Sequence, residues 1–440
     1  MSGERQYPTS RYAWYMVVIL TLAYILSFVD RYILGLLIEP IKADLELTDT
    51  QIGWLLGPAF AIFYATMGLP LGYAADRARR TWIVAAGIFI WSFATAASGL
   101  ASKFWHMFAA RMSVGVGEAT LGPCAMSMIA DSFPRERRGR PIAFYTAALS
   151  VGAGIASLVS ASVLTWAKTV PEISIPIVGA VAPWQLTFFI VGAPGLLLAV
   201  LFLTLREPKR QVQVQTSAKT NSTFGMMLSH VGDRWYVYAS FLAFPCLMTI
   251  NAYMQGWYAP MFERTWGWPA EKYALVNAVV LLAVGPLTVN VAGWLNDKLY
   301  AAGRRDAPLV ILICGAALII PTGIAAPLMP SAELAFAWIV FNTVGIATAS
   351  ATGVTGLLNI TPSEIRGQVS ALYYLTISMA GLFLGPPTVG YLSDLWGNDK
   401  LNLATAAVPA MYGIPILLLI PFALRAYRRE IAAQTASTKH

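Results

Sequence analysis

The chain has 440 residues, of which 57% are hydrophobic and only 12% are charged, and its mean hydropathy is +0.61. A soluble domain carries about 25% charged residues, so this composition excludes an ordinary soluble protein and is typical of a protein that crosses a lipid bilayer many times. The net charge of +8 is also common in nucleic-acid binders. Basic residues of membrane proteins concentrate in cytoplasmic loops, however, so we expect the bilayer as a partner and no nucleic acid.

Apolar runs of about 20 residues, the length that crosses ~30 Å of hydrocarbon as a helix, recur along the whole chain. They predict an all-α membrane protein with 12 transmembrane helices in two six-helix bundles. A polar segment separates six spans from six, which predicts an N-terminal bundle at 1–205, a cytoplasmic linker at 206–232 and a C-terminal bundle at 233–440. In chain order, the predicted spans are 14–38, 50–75, 81–101, 104–130, 140–166, 183–205, 235–260, 272–296, 308–330, 332–358, 366–392 and 402–427.

The basic residues predict the orientation of the chain. An even number of spans places both termini on one side of the membrane. That side holds 22 of the 30 lysines and arginines, the opposite side holds six, and two lie within spans. Because cytoplasmic loops are enriched in Lys and Arg, we expect both termini and the linker to be cytoplasmic.

Two pairs of loops indicate an internal duplication. GYAADRARR follows span 2 and GWLNDKLY follows span 8, so that Asp76 of the first loop corresponds to Asp297 of the second. FPRERRGR follows span 4 and TPSEIRGQ follows span 10, so that Arg138 corresponds to Arg366. Two matched loops in matched positions predict a parallel repeat, as in transporters built from two bundles.

These motifs resemble those of a known family. The pattern G-x-x-x-D-R-x-x-R between spans 2 and 3 is similar to the signature loop of the major facilitator superfamily. Within the superfamily the chain resembles the spinster-like branch, through DRYILGLLIEPIKADLELTDTQIGWL, IFIWSFATAASGLASKFW and ARMSVGVGEATLGPCAMSMIADSFPRERRGR. The resemblance to the superfamily covers the whole chain, and the resemblance to the branch is concentrated in the first half. It implies a transporter that works by alternating access.

The family also implies a gate that holds the cytoplasmic side shut when the cavity opens outward. Asp76 would lie near a helix N-terminus or pair with an arginine of a neighbouring loop. Gly72 has no Cβ and would let helices approach closely. Alternatively, the loop charges only cap helices and set the topology. The predicted gate residues are Gly72, Asp76, Arg77, Arg138, Asp297 and Arg366.

Four charged residues lie well inside predicted spans, away from the span ends, where ions are costly: Asp30 and Arg31 in span 1, and Arg111 and Glu118 in span 4. Asp30 lies ~12 Å and Arg111 ~10 Å from the outer ends of their spans, so the two are nearly level. The equivalent positions of the second half carry no charge, which favours a role in function over a role in folding. The alternative is a neutral network that only holds spans 1 and 4 together.

Such a set of charges suits proton coupling. Burial raises the pKa of a carboxyl and a nearby guanidinium lowers it, so the movement of an arginine can switch the affinity for protons. We expect Asp30 to be the proton site, tuned by Arg31 and Arg111, with Glu118 as the second candidate. An arginine released from its partner could bind an anionic head group. Alternatively, Arg31 faces its own neighbour Asp30 permanently.

The predicted cargo site draws on both halves, with the span 1 and span 4 charges facing a central space and Asn251 opposite. Asn251 and Gln255 in NAYMQGWYAP are four residues apart and share a helix face. Trp257 and Tyr258 either line a cavity or, in the preferred interpretation, belong to the aromatic belt at the membrane surface. The predicted substrate-binding residues are Arg31, Tyr32, Arg111, Glu118, Asn251, Tyr253, Gln255 and Asn342.

Other classes of function fit the sequence less well. We find no nucleophile–base pair and no metal-ligand spacing, so we expect no enzymatic activity, metal or cofactor. A channel would be expected to carry a pore motif, and a non-transporting membrane receptor is a further alternative. We therefore expect a monomeric, proton-coupled secondary transporter in the inner or plasma membrane. By resemblance its cargo is an amphipathic lipid-like anion such as a lysolipid or sphingoid phosphate, and a small organic anion or carboxylate is the alternative cargo.

Overall fold

The chain is almost entirely helical. The structure is a computed structural model, and it describes residues 7–134, 137–170, 173–175, 179–210, 220–362 and 364–437. Two short strands, β1 (Ile173–Ile175) and β2 (Gly179–Val181), pair antiparallel ahead of the last helix of the first half. The helices of the first half are α1 (Ser10–Leu36), α2 (Ile38–Leu45), α3 (Asp49–Leu56), α4 (Pro58–Arg77), α5 (Arg80–Ser98), α6 (Phe104–Glu118), α7 (Leu121–Ser132), α8 (Gly139–Thr169) and α9 (Pro183–Thr204).

The second half is also built from helices. Short 3-10 turns occur at Gln255–Trp257, Ala326–Leu328 and Asn398–Lys400. The α-helices are α10 (Thr220–Asp233), α11 (Trp235–Met254), α12 (Tyr258–Trp266), α13 (Ala270–Ala301), α14 (Ala307–Ala325), α15 (Ala332–Asn359), α16 (Arg366–Trp396), α17 (Leu401–Leu418) and α18 (Ile420–Ser437).

The prediction of an all-α membrane protein is confirmed. Among the described residues, ten helical segments are long and apolar enough to cross a membrane. The two predicted spans outside this set are 50–75 and 104–130. Each of them is divided in the structure, the first into α3 and the 20-residue α4 and the second into α6 and α7.

Prolines explain where predicted spans are interrupted. Predicted spans are broken just before Pro40, Pro58, Pro123, Pro260 and Pro421. Proline has no N–H, and its ring clashes with the carbonyl four residues earlier, so the preceding turn of helix is lost. Pro245, in contrast, lies inside the continuous helix α11. The presence of a proline therefore does not by itself decide whether a helix ends.

Part of the predicted linker is helical, and its residues 211–219 lie outside the described part of the structure. Residues 220–233 form α10, a helix that the sequence analysis did not predict, and its Met227 is buried in a hydrophobic cluster with residues of α11 and α18. Earlier in the linker, the Arg210 guanidinium donates hydrogen bonds to the carbonyls of Ala75 and Ala78, at 2.7 and 2.8 Å. These are among the last carbonyls of α4, which have no partner within the helix.

The chain divides into two compact units. Part of α13 belongs to each of them, with the boundary after Leu282. The division into bundles at 1–205 and 233–440 stays a prediction. One unit contains Met1–Val212, Tyr258–Glu263 and Gly267–Leu282, and the other contains Gln213–Trp257, Arg264–Trp266 and Ala283–His440.

The duplication extends from the loops to the packing of the helices. In the first half, a Cβ added to Gly117 of α6 would lie 2.5 Å from the carbonyl oxygen of Gly87 in α5. In the second half, a Cβ added to Gly345 of α15 would lie 3.0 Å from the carbonyl oxygen of Gly315 in α14. The two glycine pairs correspond in the same register that aligns the loops after spans 4 and 10. The same helix crossing, close enough to require glycine, therefore occurs in both halves.

We expect Gly315→Ala to lower the apparent melting temperature of the protein purified in detergent. The added Cβ would lie 2.6 Å from the backbone nitrogen of Ala349, and such overpacking costs about 1–3 kcal/mol. Gly232→Ala is the matched control, because a Cβ at this position in α10 would meet no atom within 4 Å. Equal melting temperatures for the two variants would contradict the close crossing.

Candidate functional site

Helices α1 and α6 bring the four predicted membrane charges together. Asp30 and Arg31 are consecutive in α1, and Arg111 and Glu118 lie two turns apart on one face of α6. Asp30 is 1% exposed, and Arg111 and Glu118 are each 2% exposed. The cluster therefore holds two acidic and two basic residues, and three of its members are removed from solvent.

Arg31 and Glu118 form an ion pair. Nε of Arg31 donates to Oε2 of Glu118 at 2.8 Å, and Nη2 donates to the same oxygen. The guanidinium also lies over the ring of Phe60, with its carbon 4.6 Å from the ring centroid, and near the rings of Phe28 and Tyr64. The arginine is therefore stabilised by a carboxylate and by aromatic rings. Its side chain is 22% exposed, against 1% for that of Glu118.

Asp30 has no such partner. Among the described residues, both of its carboxylate oxygens are buried without a hydrogen-bond partner. The Thr95 hydroxyl of α5 lies beside this carboxyl, although it is not in hydrogen-bond geometry. Arg111 donates from Nη1 to the backbone carbonyl of Asp30, at 3.2 Å, and not to the carboxylate. The group expected to carry the proton is thus the least compensated charge of the cluster.

The alternative in which Arg31 faces Asp30 permanently does not hold in this structure. Arg31 pairs instead with Glu118, which accepts both bonds from it. Consecutive residues of a helix point about 100° apart, so Asp30 and Arg31 cannot face the same neighbour. The near-level placement of Asp30 and Arg111 is consistent with their contact, but that contact is made by the backbone.

The amides predicted in the second half form their own small network. Nε2 of Gln255 donates to Oδ1 of Asn342 at 3.3 Å, and Nδ2 of Asn342 donates to the Thr322 hydroxyl and to the carbonyl of Ile319, both at 3.1 Å. Asn251 is fully buried and donates to the carbonyl of Leu247 at 2.9 Å. Gln255 and Asn342 are therefore brought together, whereas Asn251 bonds to its own helix.

The aromatic residues near this network lie in the protein interior. Trp257 and Tyr258 are fully buried, and Nε1 of Trp257 donates to the carbonyl of Pro386 at 2.9 Å. The preferred interpretation, an aromatic belt at the membrane surface, was wrong for both. Tyr253 packs against α16, where a Cβ on Gly381 would lie 2.5 Å from its ring. Tyr32 of α1 is partly exposed.

The signature loops of the two halves show matching side-chain contacts. The Arg77 guanidinium lies 3.4 Å from the ring centroid of Tyr73, and the Lys298 ammonium lies 5.0 Å from that of Trp294. Both pairs are four residues apart, and they occupy corresponding positions of the two loops. In each loop, the cation is therefore held over an exposed aromatic ring of the preceding turn.

The second pair of loops matches in the same way. Nε of Arg138 donates to the carbonyl of Phe133 at 2.8 Å, and Nε of Arg366 donates to the carbonyl of Thr361 at 3.1 Å. Each arginine thus bonds a carbonyl five residues earlier, at the end of the preceding helix. The duplication therefore preserves individual hydrogen bonds and not only the pattern of residue types.

The remaining gate residues have different outcomes. A Cβ at Gly72 would meet no atom of the described residues within 4 Å, and the role of Gly72 in a close helix approach stays a prediction. Oδ1 of Asp297 accepts a hydrogen bond from the neighbouring Asn296 at 3.4 Å. The side chain of Asp76 lies outside the described part of the structure, and its role stays a prediction.

Sequence reasoning missed a buried cluster around Arg80. This residue is 1% exposed, and its guanidinium bonds Asp131, the Ser127 hydroxyl, Glu207 and the carbonyl of Pro208. It joins the start of α5 to α7 and to the segment after α9. The signal available in the sequence was Arg80 itself, the last arginine of the G-x-x-x-D-R-x-x-R pattern, for which no buried partner was predicted. Among the described residues, no three His, Cys, Asp or Glu side chains could hold a metal ion.

Comparisons with known proteins agree with this architecture. The family model described as Major Facilitator Superfamily matches residues 20–386. The crystal structure of a bacterial homologue of the human lysosomal transporter Spinster, inward-facing and unoccupied, is 26% identical with a TM-score of 0.80, over 97% of this chain and 98% of that one. These similarities confirm the predicted resemblance to the superfamily and to its spinster-like branch.

Two further relatives match along most of their length. An MFS-type efflux pump of Mycolicibacterium smegmatis is 26% identical over 426 residues, which cover 96% of this chain and 95% of the pump. The sialic acid transporter NanX of Escherichia coli is 26% identical over 418 residues, which cover 93% of this chain and 95% of NanX. The chain is therefore similar along most of its length both to an efflux pump and to a sialic acid transporter.

We expect Arg31→Ala to destabilise the purified protein strongly, because it leaves the Glu118 carboxylate buried and unpaired. Breaking a buried pair from one side costs about 3–5 kcal/mol, whereas replacing both partners with apolar residues is often neutral. The double variant Arg31→Met/Glu118→Leu should therefore recover most of the lost thermal stability in detergent. Lys168→Ala is the control, since its ion pair with Glu271 is half exposed and contributes little. If Arg31→Ala were as stable as the control, the ion pair would not be an important stabilising contact.

Proposed function

Because the chain belongs to the Major Facilitator Superfamily, we propose that it is a proton-coupled secondary transporter of an organic anion that works by alternating access. The observation that carries this proposal is the buried Asp30 carboxyl, which lacks a hydrogen-bond partner and lies beside an Arg31–Glu118 ion pair. An ionised carboxylate in such surroundings is costly, and a proton removes that cost. Asp30 is the proton site of the proposal, and Glu118 is the second candidate.

The ion pair suggests how proton and cargo are coupled. Arg31 is its partly exposed member and Glu118 is its buried member, so an incoming anion would meet the guanidinium first. If the proton moves on to Glu118, the second candidate, the pair weakens and Arg31 is released to bind a phosphate or carboxylate group. The four charges sum to zero, so proton and anion can enter together without leaving a net charge in the cluster.

The cargo we favour is an amphipathic anion such as a lysolipid or sphingoid phosphate. The rings of Phe28, Phe60 and Tyr64 surround the Arg31 guanidinium, so an anionic head group at Arg31 would have apolar surface beside it. The similarity to the bacterial Spinster homologue agrees with the spinster-like resemblance from which this class of cargo was inferred. A small carboxylate is the second candidate, because the Gln255–Asn342 amides could bind hydroxyl groups and NanX is a sialic acid transporter.

The further roles are proposals of the same kind. We infer that both termini are cytoplasmic and that the protein acts as a monomer in the inner or plasma membrane. The signature-loop residues are proposed to form the cytoplasmic gate, which their matched contacts in the two halves support. The proposed cargo contacts are Arg31, Tyr32, Arg111, Glu118, Asn251, Tyr253, Gln255 and Asn342.

We expect Asp30→Asn to abolish transport driven by a pH gradient in proteoliposomes, because the amide resembles a carboxyl that never releases its proton. Cargo exchange that needs no net proton movement should be spared. Asp49→Asn is the matched control, since Asp49 is equally buried but pairs with Lys42 outside the membrane charge cluster. Transport by Asp30→Asn that is still coupled to the pH gradient at the stoichiometry of the unmodified protein would show that Asp30 is structural, and the role would pass to Glu118.

A thermal-shift screen of the purified protein should separate the two classes of cargo. We expect lysolipid phosphates to raise the melting temperature, because a ligand that binds only the folded state stabilises it by about 2.7 kcal/mol at a hundred times its Kd. Sialic acid and hexuronates should give no shift. Arg31→Gln should remove the shift, since the head group would lose its guanidinium. A shift with the small acids alone would reverse the assignment of cargo, and binding without any transport would favour a receptor.

A further inference from the structure

A polar cluster outside the membrane charge cluster connects α10 to the C-terminal helix α18. His230 of α10 and Arg234 are one helical turn apart, and Nη1 of Arg234 lies 3.3 Å from Nδ1 of His230. Nε of Arg234 also donates to Oε1 of Glu430 in α18, at 2.9 Å. The arginine therefore bonds the imidazole and the carboxylate together.

The protonation state of His230 decides whether this arrangement is favourable. Arg234 can only donate, so Nδ1 of His230 must accept, and the ring must be neutral with its proton on Nε2. Nε2 is buried without a hydrogen-bond partner in good geometry, near the carbonyl of Ile360 at the end of α15. A second proton would convert Nδ1 into a donor facing another donor and would place two cations 3.3 Å apart.

The surroundings of His230 favour the neutral form. Burial, and after it the Arg234 charge, lower the pKa of His230. The other titratable groups that face it are Asp233 at the end of α10, Glu430 of α18 and the Tyr238 ring of α11, whose centroid is 6.0 Å from that of the imidazole. Because the folded protein holds this proton less tightly than the unfolded chain does, the contact has its full strength above about pH 6.5 and is lost as the pH falls below that value.

The two helices that meet at Arg234 are anchored unequally. Tyr427 of α18 is 1% exposed, donates to the carbonyl of Gly356 at 2.8 Å and stacks on Phe241. Of the α10 side chains that the structure describes, Met227 is buried and the others are partly or fully exposed. Loss of the Arg234 contacts should therefore release α10 and leave α18 in place.

We propose that His230, Arg234 and Glu430 form an acid-sensitive latch, which holds α10 against α18 at neutral pH and releases it when the surrounding solution becomes acidic. The latch goes beyond the proposed transport and does not depend on the cargo or on Asp30. A transporter that imports protons would acidify the solution on one side, and the latch would respond to that change. Release of the latch takes up one proton. The equilibrium constant for release therefore rises by up to about tenfold for each unit that the pH falls, within the pH range where His230 titrates.

Hydrogen–deuterium exchange of the full-length protein in detergent tests the latch. Peptides from α10 should exchange faster at about pH 5.5 than at about pH 7.5, after correction for the intrinsic rate, whereas peptides around Tyr427 should not change. His230→Gln keeps an acceptor for Arg234 but cannot be charged, so α10 should stay protected at both pH values. Glu430→Gln removes the ion pair, so α10 should exchange fast at both.

His106→Gln is the control, because the His106 ring contacts only Ser102, just before α6, among the contacts described, and this variant should keep the response of the unmodified protein. The latch is overturned if α10 of the unmodified protein exchanges equally at both pH values, or if His230→Gln still loses protection in acid. Exchange is measured without cargo or a proton gradient, so these outcomes are independent of whether Asp30 couples transport.

Discussion

In hydrocarbon, every backbone N–H and C=O needs a partner within the chain, and this constraint shapes the site as well as the fold. Proline cannot donate, so each interruption in a span leaves carbonyls to be satisfied locally. Pro123 ends α6 at Glu118, which places that carboxylate at the negative end of the helix dipole. The positive charge of the Arg31 guanidinium compensates both the Glu118 carboxylate and the negative end of this dipole. Pro260 likewise follows a 3-10 turn, and this turn contains Gln255, which donates a hydrogen bond to Asn342.

The duplication distinguishes the features that build the fold, which occur in both halves, from the features of the candidate site. Glycine crossings, arginine–carbonyl bonds and cation–ring contacts recur in both halves, because each half packs the same helices and ends them in the same way. The charge cluster occurs in the first half alone, and the second half has apolar residues or amides at equivalent positions. The second half folds without the charge cluster, so the cluster is not needed to build that arrangement of helices. Its absence from the second half is the basis for assigning the cluster to transport.

Within the cluster, the two acidic residues are in different situations. Glu118 accepts two bonds from Arg31, whereas Asp30 lies beside the Thr95 hydroxyl without a bond to its carboxylate. A paired carboxylate and an uncompensated one have different affinities for protons, and such a difference is needed if proton uptake and cargo binding are to occur in sequence. The latch at His230 depends on the same effect, in which neighbouring groups set the affinity of a side chain for protons. Its side chains are within reach of solvent.

The sequence by itself determined that the chain is a helical membrane protein, that its halves are related and that four charges lie on two spans, with Asp30 and Arg111 at similar depth. These properties depend on composition, on the spacing of motifs and on the constant rise of a helix. The tertiary structure alone decided that Arg31 pairs with Glu118, that Trp257 and Tyr258 are buried and that part of the linker is a packed helix. A side chain's partner depends on how its helix is rotated and on which helices lie next to it, and neither follows from distance along the chain.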